Sequence, residues 1–172
     1  EDWRGGVRSG RTYRLEEDWR WDEALYPGLP GLIDELHDDG FRFMTYFNTF
    51  VVEGVDVEPA LTEGGHLVVD RRGEPYEFLE ADGETSFLAD LFSEGARVFI
   101  KEELKGALQL GIDGWMADFA EWYPADPQTV ETSDGSDSEA AHHRYPEEWA
   151  ILNREAVAES GDDDVVVFHR SG

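Results

Sequence analysis

The sequence predicts an α/β fold, a partial (β/α)8 TIM barrel with a small β-rich insertion after the second strand. Three short apolar segments, residues 42–47, 112–118 and 165–169, have the composition of parallel strands that are covered on both faces. A helical pattern precedes each segment, and a polar or charged residue ends it or follows it directly. This alternation is typical of a barrel, in which loops at the carboxyl ends of the strands carry the chemistry.

The first predicted helix and strand follow a long opening loop. Residues 1–26 show no sustained periodicity, and the Trp19-Arg20-Trp21 cluster within them indicates packing, because exposed tryptophans are costly. Helix-spaced leucine and isoleucine residues between Pro30 and Gly40 predict a short helix that ends at the glycine. The strand 42–47 then leaves Asn48 at the functional end of the sheet.

Residues 51–93 interrupt the alternation of helices and strands. Glycine-containing turns flank the apolar run 67–69, which predicts a small β-rich insertion. Ser93 is a suitable N-cap for the next helix, which is predicted to reach Leu110 and to lead into strand 112–118.

The segment after this central strand is polar and acidic. Its residue spacing between 132 and 139 does not fit an EF-hand loop, so we interpret it as a solvated loop rather than a calcium site. Pro146 marks the predicted start of the following helix and Gly161 its end, after which strand 165–169 begins.

An excess of carboxylates dominates the composition. The 172 residues include 40 Asp and Glu against 14 Lys and Arg, which gives a net charge of -26. This charge repels phosphate backbones and anionic lipids, whereas in molar salt it is screened within about 3 Å. We therefore predict a salt-loving source and no binding to nucleic acid or membranes. No cysteine is present, and no apolar run approaches the roughly 18 residues of a membrane span.

Asp118 is the principal functional candidate. From its position alone it is either a turn residue at the end of strand 112–118 or a catalytic carboxylate. The run Trp-Met-Ala-Asp-Phe-Ala-Glu at 115–121 resembles the nucleophile signature of glycoside hydrolase family 31, in the form of its sulfoquinovosidase branch, except that Ala120 stands where glycine is usual. Further segments resemble family motifs in the family's order, at 1–5, 46–50, 142–150 and 168–172.

The resemblance implies retaining hydrolysis of α-glycosides through a glycosyl-enzyme intermediate. In that chemistry one carboxylate attacks the anomeric carbon and a second carboxyl group protonates the leaving oxygen. Asp118 matches the attacking residue. The family's acid/base aspartate lies in a Trp-x-Gly-Asp motif, which residues 1–172 lack. We therefore expect these residues to be part of a catalytic barrel, with further strands before Asp2 and after Gly172, and to be inactive alone.

The resemblance also assigns residues to the substrate site. Asp2 would accept hydrogen bonds from sugar hydroxyls, with a turn aspartate as the alternative. Arg170 would contact the same sugar and keep Asp118 ionised, with a surface ion pair as the alternative. His142 matches a family position, but it lies beside His143 in a polar segment that can equally be solvated.

Two residues of the 115–121 run have further expected roles. Trp115 offers a flat face for a sugar ring, with a place in the core as the alternative. Glu121 is expected to be a structural partner of the site rather than the proton donor.

Substrate preference depends on three positions of the opening segment. In the branch that the sequence resembles, a Gln, an Arg and a Trp recognise the substrate and its sulfonate, and the corresponding residues here are Glu1, Arg14 and Glu17. Like charges about 4 Å apart cost roughly 4 kcal/mol at an effective dielectric of about 20, so two carboxylates would repel a sulfonate. We therefore predict an α-glucosidase-like preference. A sulfoquinovosidase and a catalytically silent sugar-binding fragment are the alternatives.

The expected partner is a small-molecule α-glycoside, and neither a cofactor nor a metal ion is expected. A homo-oligomer is left open by the sequence, and the expected location is cytoplasmic.

Overall fold

The computed structural model describes the backbone of residues 6–9, 12–15, 18–80 and 83–170, and the side chains of the two longer ranges. Its strands are β1 (Gly6–Ser9), β2 (Thr12–Leu15), β3 (Met44–Phe47), β4 (Phe50–Val52), β5 (Val69–Asp70), β6 (Glu77–Leu79), β7 (Thr85–Leu88), β8 (Gly114–Ala117), β9 (Val130–Glu131) and β10 (Val166–His169). Its helices are α1 (Leu29–Asp38), α2 (Glu58–Gly64), α3 (Glu94–Gln109) and α4 (Ser138–Ser160). None of the helices in these ranges is long and apolar enough to cross a membrane.

The three predicted barrel strands form one parallel sheet, in the order β10-β8-β3. Its register pairs Phe47 and His169 with Ala117, so the three strands end in the same row. The predicted α/β fold with a parallel sheet is confirmed, although the strands are somewhat shorter than the apolar segments. A separate antiparallel hairpin is formed by β1 and β2.

Gly114 allows β8 and β10 to approach each other closely. Its φ angle is 154°, and a Cβ atom at this position would lie 2.0 Å from the carbonyl oxygen of Val166. A side chain does not fit there, because that distance is well inside van der Waals contact.

The two faces of the parallel sheet have different surroundings. Successive residues of a strand point to opposite faces. One face is buried, with the side chains of Thr45, Phe47, Trp115 and Ala117. The other face is largely open, because Met44, Val166 and Phe168 are 41%, 56% and 50% exposed. In a closed barrel this second face lines the interior, and the side chain of Asp118 extends from the same face.

Helices α1 and α3 lie where the sequence predicts them. Gly40 has a φ angle of 82° just beyond α1, as expected for a residue that ends a helix. Ser93 occupies the N-cap position of α3, but its hydroxyl makes no capping hydrogen bond. The stripe of α3 that is buried consists of Ala96, Ile100, Leu104 and Ala107.

The helix predicted to start at Pro146 is longer, because α4 begins at Ser138. Asp137 caps it, since its Oδ1 accepts a hydrogen bond of 3.0 Å from the backbone N–H of Glu139. Pro146 lies inside α4, where it removes one helical hydrogen bond. The buried stripe continues on both sides of the proline, through Tyr145 and Trp149, and this packing maintains the helix. The end of the predicted acidic loop is therefore helical.

The β-rich insertion is confirmed, and it also contains a helix that the turn signals did not indicate. Strands β4, β7 and β6 form a three-stranded antiparallel sheet. Helix α2 begins at Glu58, with Pro59 in its first turn, a position that suits proline because no N–H is needed there. Strand β5 pairs with β9, so the insertion is joined to the segment that follows β8.

Ion pairs join α3 to α4. Arg97 lies 3.0 Å from Glu148 and 3.1 Å from Glu155. Lys101 and Lys105 lie 2.5 Å and 3.3 Å from the two carboxylate oxygens of Glu159. Three of the 14 cations of this acidic chain are thus placed where they neutralise carboxylates of a neighbouring helix.

Candidate active site

The carboxyl ends of the parallel strands bring three polar residues into one row. Asn48, Asp118 and Arg170 each follow the last residue of a strand, and those last residues are paired with one another. The backbone hydrogen bonds between neighbouring strands continue through this row of residues. The N–H of Asp118 donates to the carbonyl of Phe47 at 2.9 Å, and the N–H of Arg170 donates to the carbonyl of Ala117 at 3.3 Å. The position of each residue is therefore fixed by the sheet.

The carboxylate of Asp118 is 5% exposed and is held at both of its oxygens. The hydroxyl of Tyr46 donates a hydrogen bond of 2.7 Å to Oδ2. The Nε atom of Arg170 lies 2.9 Å from Oδ1, which is an ion-pair distance. Its N–H is not aligned on that oxygen, so Oδ1 has no hydrogen-bond donor among the described residues. The arginine therefore attracts Oδ1 by its charge, while the tyrosine makes a directed bond to Oδ2.

Arg170 is itself positioned by the loop that follows β8. Its Nη2 pairs with Oε1 of Glu121. Its guanidinium carbon lies 4.1 Å from the centroid of the Phe119 ring, a cation–π contact. The loop that begins with Asp118 thus also holds the cation that neutralises it.

This loop turns sharply immediately after Asp118. Phe119 has a φ angle of 54°, a left-handed conformation that costs a non-glycine residue about 1–2 kcal/mol. A 3-10 turn, Ala120–Trp122, follows it. Phe119 stacks on Phe50 with ring centroids 5.3 Å apart, and Trp122 packs edge-on against both rings. These aromatic contacts hold the strained turn in place.

The arrangement holds the carboxylate of Asp118 in one orientation. The guanidinium of Arg170 lies at an ion-pair distance from Oδ1, and the directed bond from Tyr46 orients the group. An ionised, oriented carboxylate can attack an electrophilic carbon or stabilise a positive charge that develops there.

The contacts of Asn48 with other described residues stabilise the fold. It is fully buried, and its Oδ1 accepts a hydrogen bond of 3.1 Å from the N–H of Phe50. Its backbone carbonyl accepts a bond of 2.8 Å from the indole of Trp19, which is 2% exposed. The predicted packing of Trp19 is confirmed, and it joins the opening loop to the end of β3.

The structure contradicts a sugar-stacking role for Trp115. The ring has no exposed surface, and its indole N–H donates a hydrogen bond of 2.6 Å to Asn153 in α4. Phe47 packs edge-on against it, with ring centroids 5.4 Å apart. The alternation of β8 explains this position, because Trp115 and Asp118 point to opposite faces of the sheet. The alternative interpretation, a core tryptophan, is the correct one.

His142 lies in the first turns of α4, away from the row at the strand ends. Its Nδ1 is 2.5 Å from the carbonyl oxygen of Tyr123, and its ring contacts His143 edge-on. These contacts join α4 to the loop after β8. A contact with substrate stays a prediction.

The predicted residues of the opening segment cannot be compared with this geometry. Glu1, Asp2 and Glu17 lie outside the described residues, and of Arg14 only the backbone, in β2, is described.

Tyr46 is the residue of the site that the sequence analysis missed. It pairs with Met116 in the register of β3 and β8. Because side chains alternate along strands, Tyr46 and Asp118 share the inner face of the sheet. The alternation along each strand can be read from the sequence, but the register that pairs Tyr46 with Met116 cannot.

Two carboxylates of the acidic run between 132 and 139, those of Asp134 and Asp137, have partners within the run or in α4. Asp134 pairs with Arg144 at 2.9 Å and accepts bonds from the N–H and hydroxyl of Ser136. Within the ranges that the structure describes, no group of three His, Asp or Glu side chains is arranged to hold a metal ion.

The opposite end of the strands carries a network with a structural role. Asp113, just before β8, accepts hydrogen bonds from the N–H of Phe43 at 2.7 Å, from His37 at 2.8 Å and from Arg42 at 2.7 Å. Burial opposes ionisation of Asp113, but these three partners outweigh it and hold its pKa below the usual range. In barrels this end contributes to stability rather than chemistry.

The fold and the site together define part of an α/β barrel whose catalytic-end loops hold a buried carboxylate beside an arginine. Residues 2–172 match the TIM-barrel domain of glycosyl hydrolases family 31. The chain belongs to that family, as the resemblance implied.

Two bacterial sulfoquinovosidases are similar to the whole chain. The Escherichia coli (strain K12) protein is 32% identical over 176 residues, which cover 100% of this chain and 25% of the relative. The Agrobacterium fabrum protein is 32% identical over 177 residues, 100% of this chain and 26% of the relative. An α-xylosidase of Lactiplantibacillus pentosus is 26% identical over 88% of this chain. The chain spans about a quarter of the length of the sulfoquinovosidases it matches.

Solved structures show the same fold. A family 31 sulfoquinovosidase from E. rectale, in complex with the aza-sugar inhibitor IFGSQ, superposes with a TM-score of 0.91 at 34% identity, over 99% of this chain and 26% of that one. A Flavobacterium johnsoniae family 31 dextranase complexed with glucose superposes with a TM-score of 0.79 at 20% identity, which shows the fold alone.

Proposed function

We propose that the protein containing this chain hydrolyses α-glycosides with retention of configuration, and that Asp118 is its nucleophile. The observation that supports this most is the row at the strand ends, where Asp118, 5% exposed, lies between Tyr46 and Arg170. Family membership supports the reaction class. A buried carboxylate next to a cation on the inner face of the barrel is the group that this chemistry needs.

In the proposed reaction, a carboxylate oxygen of Asp118 forms a bond to the anomeric carbon. The glycosidic bond breaks, and the leaving oxygen takes a proton from a carboxylic acid outside residues 1–172. Water then attacks the same carbon, gives its proton to that group, and the electron pair of the ester bond returns to Asp118. Two displacements at one carbon retain the configuration. Residues 1–172 alone are proposed to be inactive, because the proton donor is not among them.

We infer that the substrates are α-glycosides of sulfoquinovose. Two relatives and one solved structure at 32–34% identity are sulfoquinovosidases, which favours this alternative over the α-glucosidase preference inferred from the opening segment. Arg14 supplies a cation for the sulfonate. An α-glucoside is the second candidate, because the sequence has carboxylates, Glu1 and Glu17, where two neutral residues are expected.

The substrate proposal is tested with the intact protein and two chromogenic substrates, the 4-nitrophenyl α-glycosides of sulfoquinovose and of glucose. We expect kcat/KM to be higher for the sulfoquinovoside by at least about tenfold. That ratio corresponds to about 1.4 kcal/mol, which is less than the roughly 4 kcal/mol of one charge pair near a protein surface. Arg14→Gln should remove most of that preference and leave the glucoside rate nearly unchanged. A preference for the glucoside would support the second candidate, and no hydrolysis of either would contradict the proposed function.

A further inference from the structure

We propose that Tyr46 is a positioning residue that stabilises the carboxylate of Asp118 when the glycosyl-enzyme intermediate breaks down. This inference rests on the proposed role of Asp118 as nucleophile. In this role Tyr46, in β3, affects the rate of the second step, in which water hydrolyses the intermediate.

The sheet register places Tyr46 for this role. Tyr46 pairs with Met116, two residues before Asp118, and its ring lies on the same face as the carboxylate. The hydroxyl donates to Oδ2 at 2.7 Å. Tyr46 is 7% exposed and Asp118 5%, so solvent screens this hydrogen bond little.

Tyr46 and Arg170 act on the carboxylate differently. Arg170 lies near Oδ1 without an aligned N–H, shares its charge with Glu121, and has a side chain that is 38% exposed. Among the described residues, Tyr46 is therefore the donor whose bond is directed at the carboxylate. Charge-assisted hydrogen bonds of this kind are about twice as strong as neutral ones.

The charge on Asp118 changes in opposite directions in the two steps. When Asp118 attacks, its negative charge passes to the departing oxygen and the new ester accepts a weaker hydrogen bond. When water displaces the sugar, the electron pair of the ester bond returns to the carboxylate, and the bond from Tyr46 strengthens in the transition state. Only interactions that strengthen in a transition state accelerate the step. The hydroxyl should therefore accelerate breakdown of the intermediate more than its formation.

The test is Tyr46→Phe in the intact protein, which removes only the hydroxyl. The substrate is the 4-nitrophenyl α-glycoside that the wild type hydrolyses, because its good leaving group makes the first step fast. We expect kcat to fall by about ten- to a hundredfold, the effect of losing a hydrogen bond to a charged group. KM should fall with it, because the covalent intermediate accumulates. A burst of 4-nitrophenolate, about one equivalent of enzyme, should precede the steady state.

Tyr145→Phe is the matched control. Its hydroxyl is equally buried and donates to the carbonyl of Ala89 at 2.5 Å, away from Asp118. We expect no burst and no parallel fall of kcat and KM in this variant. For Tyr46→Phe, a lowered kcat with unchanged or raised KM and no burst, or unchanged kinetics, would overturn the proposal. If Tyr46→Phe does not fold, Tyr46→Leu, which also lacks a hydrogen-bond donor, is measured in the same way. A burst supports the proposal, and its absence overturns it.

The kinetics of the wild type and of two variants distinguish an error in the role of Tyr46 from an error in the proposed function. If the wild type hydrolyses no α-glycoside, or Asp118→Asn keeps its rate, the proposed function is wrong. If the wild type is active, Asp118→Asn is inactive and Tyr46→Phe gives no burst, only the role of Tyr46 is wrong.

Discussion

The Nε atom of Arg170 lies 2.9 Å from Oδ1 of Asp118, although the two residues are far apart in sequence. They follow neighbouring parallel strands, β10 and β8, whose register fixes their separation. The same guanidinium also pairs with Glu121. One cation thus pairs with two carboxylates, so its attraction is divided between Asp118 and Glu121.

Asp118→Asn in the intact protein should lower kcat by at least about 10⁴-fold, since loss of a covalent nucleophile can cost on the order of 10⁶-fold. The amide has nearly the shape of the carboxylate but cannot readily form the glycosyl ester. Folding should change little, which circular dichroism and the melting temperature check.

The identity of the nucleophile is tested by trapping the intermediate. A slow fluorinated α-glycoside should leave its sugar on the peptide that contains Asp118, located by mass spectrometry, and the sugar first released should have the α configuration. A label on Glu121 or an inverted product would show that the roles are assigned wrongly even though the fold is right.

Glu121→Gln should lower kcat/KM by about fivefold, because an ion pair this exposed is worth roughly 1 kcal/mol after screening. Arg170 would keep its contact with the Phe119 ring, so Asp118 would remain partly neutralised. Glu103→Gln is the control, since it removes the partner of Arg20 in another surface ion pair. Its kinetics should match the wild type. A loss as large as that of Asp118→Asn would mean that Glu121 takes part in the chemistry.

The parts of the fold that the sequence predicted correctly are those with a local signal. Parallel strands covered by helices leave apolar runs, and each run ended at or directly before a residue that the structure places in the row, Asp118 and Arg170 among them. Pro146 misled the prediction because proline usually marks a first helical turn, whereas the packing of Tyr145 and Trp149 maintains α4 through it.

The parts of the site that were missed depend on which face of a strand a side chain occupies. Trp115 stands in the same apolar run as Asp118, and only the pleat shows that it points to the helices instead. Tyr46 has the composition of a buried strand residue, so nothing local distinguishes it from core. Its role depends on a register between two strands separated by the whole insertion.

Asp113→Asn should lower the free energy of unfolding at pH 7 by about 2 kcal/mol, the scale of hydrogen bonds to a charged group. Partners at the base of the sheet hold the folded-state pKa of Asp113 below its unfolded value. The ionised group therefore contributes stability above about pH 4, and that contribution is lost as the pH falls through the folded-state pKa. Urea unfolding at several pH values should show the wild type and the variant converging below about pH 4.

Asp164→Asn is the control for this experiment. Asp164 also pairs with Arg42, but its side chain is 74% exposed. Its loss should change stability little at any pH. If Asp113→Asn were as stable as Asp164→Asn at pH 7, the network at the base of the sheet would not have the stabilising role given to it.

Lowering the salt concentration should destabilise the intact protein if its surface is as acidic as that of this chain. Going from molar to about 0.1 M salt lengthens the screening distance from about 3 to about 10 Å. Repulsion among the 26 unbalanced negative charges then grows, while the few ion pairs between α3 and α4 become stronger. With so few cations, repulsion should dominate. Equal melting temperatures in both salts would contradict a halophilic surface.

Residues 1–172 expressed alone should self-associate, because the inner face of the parallel sheet is open. Met44, Val166 and Phe168 are about half exposed there, and β3 and β10 are the edges of this sheet in the described part of the chain. Exposed apolar faces and free strand edges both favour association between copies.

Two variants distinguish association through the inner face of the sheet from association through any exposed apolar side chain. Phe168→Gln should reduce association measured by sedimentation in high salt, because it removes apolar surface from the face that copies would bury. Leu79→Gln removes a side chain that is 70% exposed in the insertion, away from that face, and should not reduce it. A monomeric wild-type chain with a cooperative melting transition would contradict the prediction. It would mean that the outer face, with its buried Trp115 and α4, is sufficient to stabilise the sheet without cover on the other side.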